Sequence, residues 1–147
     1  RAFEELGVCI LDGERKRIVK ASMGSPYLMQ LLGHNVVVRA TDQGQLNGPM
    51  IDAAVEAARA DFENDVCGTL LAALSVRDVQ FLSAMARDEG DSSISAIAER
   101  MNVTQDYAQK YRKRLIDAGA IEPAGWGLIR FAVPYLADYL RREAGVW

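Results

Sequence analysis

Residues 75–131, SVRDVQFLSAMARDEGDSSISAIAERMNVTQDYAQKYRKRLIDAGAIEPAGWGLIRF, are divided into elements by the points where the hydrophobic period breaks. Val79, Leu82, Met85 and Ala86 recur at helical spacing and predict a first helix over about residues 76–88, with Phe81 at the edge of its buried face. Asp91-Ser92-Ser93 interrupts that pattern. Ser93 suits the N-cap of a second, short helix, whose Ile94, Ile97, Ala98 and Met101 share one face. Asn102-Val103 makes a turn, Thr104 caps a third helix, and Asp106 stands in the first turn, where a negative charge meets the positive end of the helix dipole. Gly119 is the kind of residue at which such a helix stops.

Within the third helix, Ala108, Tyr111 and Leu115 fall on one side and are expected to face the other two helices. Gln105, Gln109, Lys110 and Lys113 are left on the outer side. Beyond Gly119, two short apolar runs, residues 120–123 and 128–131, flank the Gly-rich tip Ala124-Gly125-Trp126-Gly127, the pattern of a β-hairpin. A short helix, a tight turn, a helix carrying long polar donors and then a hairpin predict a winged helix-turn-helix. In that layout the third helix enters the DNA major groove.

The 147 residues are half apolar, enough for one domain or two small ones with substantial cores. Charges interrupt every apolar run well short of a membrane span, and no secretory signal pattern opens the chain, so the expected compartment is the cytoplasm. Cys9 and Cys67 form no CxxC pair and have no His at ligand spacing; they read as small core residues. The absence of an initiator Met before Arg1 predicts a piece of a longer polypeptide. The formal net charge of −3 argues against nonspecific coating of nucleic acid. Residues 1–74 carry 7 Lys/Arg against 10 Asp/Glu, whereas residues 75–147 carry 10 of each and gather Lys110, Arg112, Lys113, Arg114 and Arg130 on the third helix and hairpin.

The first half reads as helical. A short helix near Ala2–Leu6, an apolar run at Val8–Leu11, a turn at Asp12-Gly13 and a basic helix over residues 14–22 come first, with Arg15-Lys16-Arg17 and Lys20 as a solvated face. Gly24 ends that helix, Ser25 caps the next, and Pro26 occupies its first position, where the missing N–H costs nothing. Tyr27, Leu28, Leu31 and Leu32 form an apolar face that continues through Val36, Val37 and Ala40. After a polar loop over residues 41–49, one long helix is expected over residues 50–74, with a stripe from Ile51, Ala54, Val55, Ala58 and Phe62 to Val66, Leu70 and Leu74. Gly68 weakens its last turns, and the boundary between a helical domain, 1–74, and the winged-helix domain, 75–147, is placed at Leu74–Ser75. The overall expectation is a mainly α chain in which a helical bundle precedes a winged helix with a small β-hairpin wing.

Gly-Ser-Pro-Tyr-Leu-Met-Gln-Leu-Leu-Gly at 24–33 resembles the Gly-x-Pro segment in the helical lid of AAA+ ATPases, especially the STAND and origin-recognition-like groups. Residues 131–140, FAVPYLADYL, are similar to the strand-to-helix ending after the wing in bacterial ATPases of this kind. The resemblance implies a lid-like bundle at 1–74 that would follow a nucleotide-binding domain outside this chain. It also implies that Gly24 and Pro26 pack beside a bound nucleotide. The chain departs from the family in holding no GxxxxGK(S/T) phosphate loop and no acidic Mg²⁺-binding strand. ATP and Mg²⁺ are therefore implied for the full-length protein only, and no cofactor and no enzymatic activity are expected of this chain alone.

Its single histidine, His34, has no nucleophile or carboxylate in a motif, and no GxSxG, HExxH or GxGxxG occurs. No catalytic or metal-binding residue is assigned. The primary expectation is DNA binding, with Gln105, Gln109 and Lys110 at base edges, Lys113, Arg114 and Arg130 on phosphates, and Thr104 at the start of the reading helix. The alternative is a docking or regulatory module whose partner is a protein or a second copy of the chain. Trp126 at the hairpin tip suits either an exposed anchor for such a partner or a hydrophobic plug folded back on the domain.

Overall fold

A computed structural model describes residues 11–40 and 47–144; the expected segments at Ala2–Leu6, Val8–Ile10 and 41–46 lie outside the described residues. The chain divides into two compact units, Arg1–Asn64 and Asp65–Trp147. The division falls ahead of the Leu74–Ser75 boundary read from the sequence. The architecture is mainly helical, with one small three-stranded antiparallel sheet.

In the first unit, α1 (Asp12–Ala21), α2 (Pro26–Ala40) and α3 (Gly48–Phe62) pack on one another. Asp12 and Gly13 belong to the first turn of α1 rather than to a preceding turn. Leu28, Leu32, Asn35, Val36 and Ala40 are the buried face of α2. Opposite them, Ala54 and Ala58 on α3 bring the two helices close, because a methyl side chain keeps neither backbone at a distance. Asn35 is tolerated in that core because its Nδ2 donates to the Leu31 carbonyl at 2.9 Å and its Oδ1 accepts from Arg39 Nη1 at 3.0 Å. Tyr27 stands more exposed than the sequence pattern suggested, its ring 6.2 Å from that of Phe62. Met23 and Gly24 both take left-handed backbone angles in the turn before α2, and Ser25 Oγ accepts from the Leu28 amide at 3.2 Å.

The expected single long helix is interrupted. Asn47 caps α3 through Met50 N, and α3 runs directly into a π-helical turn, Glu63–Gly68, before a short α4 (Thr69–Ala72). The π turn inserts one residue into the repeat, so the buried stripe passes from Phe62 to Cys67 and leaves Val66 only half-buried. Cys67 is then placed to donate its thiol to the Pro134 carbonyl at 3.7 Å within the second unit.

The second unit holds α5 (Val76–Met85), β1 (Ser92–Ser93), α6 (Ile94–Met101), α7 (Gln105–Asp117), β2 (Ile121–Gly125), β3 (Leu128–Phe131) and α8 (Leu136–Ala144). α5 packs against α6, α7 and α8, and Phe81 is therefore fully buried at its centre and not at an edge. The core adds Leu82, Met85, Ile97, Leu115, Ile121, Ile129, Leu136 and Leu140. In the sheet β3 is central and β1 and β2 are its edges, with Ser92 opposite Ile129 and Ile121 opposite Phe131. Pro123 is accommodated because β2 is an edge strand, and a bulge between Pro123 and Gly125 delivers the chain to the tip at Trp126-Gly127. The serine pair that interrupts the helical pattern is thus itself a strand.

Candidate nucleic-acid interface

The third helix of the second unit is fixed by local chemistry at both ends. Asn102 closes α6 in the left-handed region, with φ of 55°, and its amide bonds back to Glu99. Thr104 Oγ1 accepts from the Tyr107 amide at 3.2 Å and starts α7. At the other end Ala120 N donates to Leu115 O and Gly119 takes φ of +76°, which turns the chain into β2. Ala108 and Leu115 are buried, and Tyr111 is half-buried at the rim of that face. The register of α7 is thereby set, and Gln105, Gln109, Lys110 and Lys113 project to solvent. Among the described residues these four side chains have no hydrogen-bond or ionic partner, so their donors remain for an external group.

The two arginines of the patch are placed differently. Arg114 Nη2 donates to Asp78 Oδ2 at 2.9 Å, and its guanidinium lies 5.7 Å from the centre of the Tyr111 ring. Asp78 is fully buried at the N-terminus of α5; its Oδ2 also accepts from Ser75 N at 3.1 Å and Ser75 Oγ at 2.7 Å, while its Oδ1 has no partner among the described residues. Arg130 lies cross-strand from Glu122, and its Nε donates to the Glu122 carboxylate at 2.7 Å, which raises the arginine's proton affinity further. Both keep exposed N–H groups, yet each is partly occupied by the fold. Arg112 is half-buried, and Trp126 at the hairpin tip is fully exposed.

The sequence pattern did not single out Arg77 or the pairing of the two tyrosines. Tyr107 and Tyr111, one turn apart on α7, share a 3.1 Å contact between hydroxyls with ring centres 5.1 Å apart. That hydrogen bond holds the Tyr111 phenol above its ordinary pKa, against the opposing influence of Arg114 and of Arg77 on α5. The i, i+4 spacing of the two tyrosines was a usable signal. The approach of Arg77 depends on the packing of α5 against α7 and had none. Gly24 and Pro26 both lie exposed around the turn into α2 in the first unit, as parts of a helix junction. His34 is exposed, and among the described residues no group of His, Cys, Asp or Glu could hold a metal ion. No helix among them is long and apolar enough to cross a membrane.

No curated protein and no solved structure matches the chain. Residues 64–140 match the family described as a domain of unknown function, DUF8462, and this stretch takes in nearly all the described elements of the second unit. Since the match covers more than half of the sequence, the chain belongs to the DUF8462 family.

Proposed function

We propose that residues 75–147 are a winged helix-turn-helix that binds duplex DNA through the outer face of α7, with the β2–β3 hairpin as the wing. The observation that carries this reading is the row Gln105, Gln109, Lys110 and Lys113, left without partners among the described residues on a helix whose other face is locked into the core. The order helix, short strand, two helices and hairpin, with β1 paired to the hairpin strand β3, supports it. Gln105, Gln109 and Lys110 reach base edges, while Lys113 and the exposed parts of Arg114 and Arg130 meet phosphates. In the same reading residues 1–74 are the lid of a cytoplasmic AAA+ ATPase, with Gly24 and Pro26 beside the nucleotide. ATP and Mg²⁺ belong to a nucleotide-binding domain outside this chain, and the chain itself is a binding module without catalysis. Fluorescence anisotropy on random and selected duplexes at graded salt tests the DNA reading. Affinity that falls linearly on a log–log salt plot, and is lost when Lys110 and Lys113 are both replaced by Ala, is the expected result.

One observation favours a second reading. Trp126 stands fully exposed at the tip of the hairpin, the kind of side chain that anchors a protein partner or a second copy of the chain. If duplexes do not bind at low salt and Trp126→Ala abolishes association with a partner, the hairpin is a docking element and the DNA reading is replaced.

A further inference from the structure

Arg77, Gln80 and Ser83 on α5 and Arg87 in the turn just after it line a groove together with Ala84 and with Arg100 and Met101 from the end of α6. Its volume is about 290 Å³, near the lower end for a small-ligand site. Its polar groups are one-sided. Arg77 Nη1 donates to Gln80 Oε1 at 3.1 Å, which occupies the amide's acceptor and leaves its NH₂ to donate. Arg100 is held rigidly, with Nη1 donating to Ala84 O and Asp88 Oδ2 and Nη2 to Asp88 Oδ1, all within 2.8 Å. Those bonds use three of the five guanidinium N–H groups and leave two. Arg87 is exposed and has no partner among the described residues. Among the described residues no carboxylate lines the groove: Asp88 is spent on Arg100, and Asp78 is buried against Arg114.

We propose that this groove binds a phosphate-bearing ligand. Three guanidiniums, one of them preorganised, together with amide and hydroxyl donors and no carboxylate among the described lining residues, fit a tetrahedral phosphate oxyanion with several acceptor oxygens. Ala84 and Met101 give a small organic portion an apolar wall. The phosphate comes either from a small phosphorylated molecule or from a duplex backbone running past α5; the chemistry of recognition is the same.

Isothermal titration of the whole chain with inorganic pyrophosphate in low-salt chloride buffer tests the site. Saturable one-to-one binding is expected, weakened at least tenfold in the Arg77→Ala/Arg87→Ala double variant and restored in large part by Arg77→Lys/Arg87→Lys. Both arginines are exposed, so the fold should persist, and an unchanged thermal melt checks this. Lys110→Ala/Lys113→Ala serves as the control, and its pyrophosphate affinity should equal that of the unmodified protein even where duplex binding is lost. Duplex anisotropy on the arginine double variant then separates the sources: a salt slope reduced by about 2 assigns the phosphate to DNA, and unchanged duplex binding assigns it to a small molecule. Absence of saturable pyrophosphate binding, equal binding by the arginine double variant, or an equal loss in the lysine control would each overturn the proposal.

Discussion

Replacing Asp78 by Ala removes a buried carboxylate that ties the start of α5 to α7. The side chain is 1% exposed and accepts three hydrogen bonds at Oδ2, two from Ser75 and one from Arg114. Loss of the reciprocal half of the capping box costs about 1 kcal/mol. A charge-assisted bond contributes about 1.5–3 kcal/mol when well shielded, but the Arg114 side chain is 61% exposed, so its share is screened towards about 1 kcal/mol. Against these, the substitution relieves the buried Oδ1 of its missing partner, a gain of about 1 kcal/mol at the low end of the cost of an unsatisfied buried group. A net destabilisation of about 1 kcal/mol is predicted. Native-state hydrogen exchange of the slowest amides in α5 and α7 is the suitable assay, because it reads the second unit directly in a chain of two units. Adding Arg114→Ala closes a double-mutant cycle, and the coupling should be about 1 kcal/mol. A coupling within about 0.3 kcal/mol of zero would refute the reasoning, since the bond between Asp78 and Arg114 would then contribute nothing to the packing of α7.

Three further outcomes follow from particular contacts. Asp88, held below the ordinary carboxylate range mainly by its hydrogen bonds from Arg100, contributes stability that is fully present above about pH 4 and is lost as pH falls through its depressed value; Asp88→Asn should flatten that acid limb of a pH-dependent unfolding curve, and an unaltered limb would dismiss the pair. Asn102→Ala should cost about 1 kcal/mol in urea titrations because φ of 55° strains a side chain with a plain Cβ, whereas Asn102→Gly should be close to neutral. Trp126→Ala should leave the melting curve of the second unit within about 0.5 kcal/mol of its original stability, since the indole is fully exposed; a larger loss would mean that the tip folds back on the domain.

Side chains that bond to their own neighbouring backbone were legible in the sequence. Ser93, Thr104 and Ser25 each cap a helix through an amide three residues on, and Gly119 takes the positive φ that its place after a periodic run implies. The outer face of α7 was legible for the same reason, since its register follows from Ala108 and Leu115. Features set by distant chain were not. Phe81 reads as an edge residue on a one-sided helix, but α5 is covered on several sides. The two residues of β1 carry no strand propensity and are strand only because β3 pairs with them. The π turn at Glu63–Gly68 leaves no compositional mark, and the tie between Arg114 and Asp78 joins residues 36 apart. The Glu122–Arg130 pair was available in principle, because a hairpin around Trp126 sets those two opposite each other.

The proposed DNA contact depends on α7 side chains that have no partner among the described residues. Two-dimensional amide and side-chain NMR of the isotopically labelled chain, titrated with a random duplex at low salt, addresses it most directly. Chemical-shift changes concentrated on the amides of Thr104 to Lys113 and the side-chain amides of Gln105 and Gln109, with a second cluster at Trp126-Gly127, are predicted. An unchanged spectrum at saturating duplex, or changes confined to residues off α7 and the hairpin, would contradict the account.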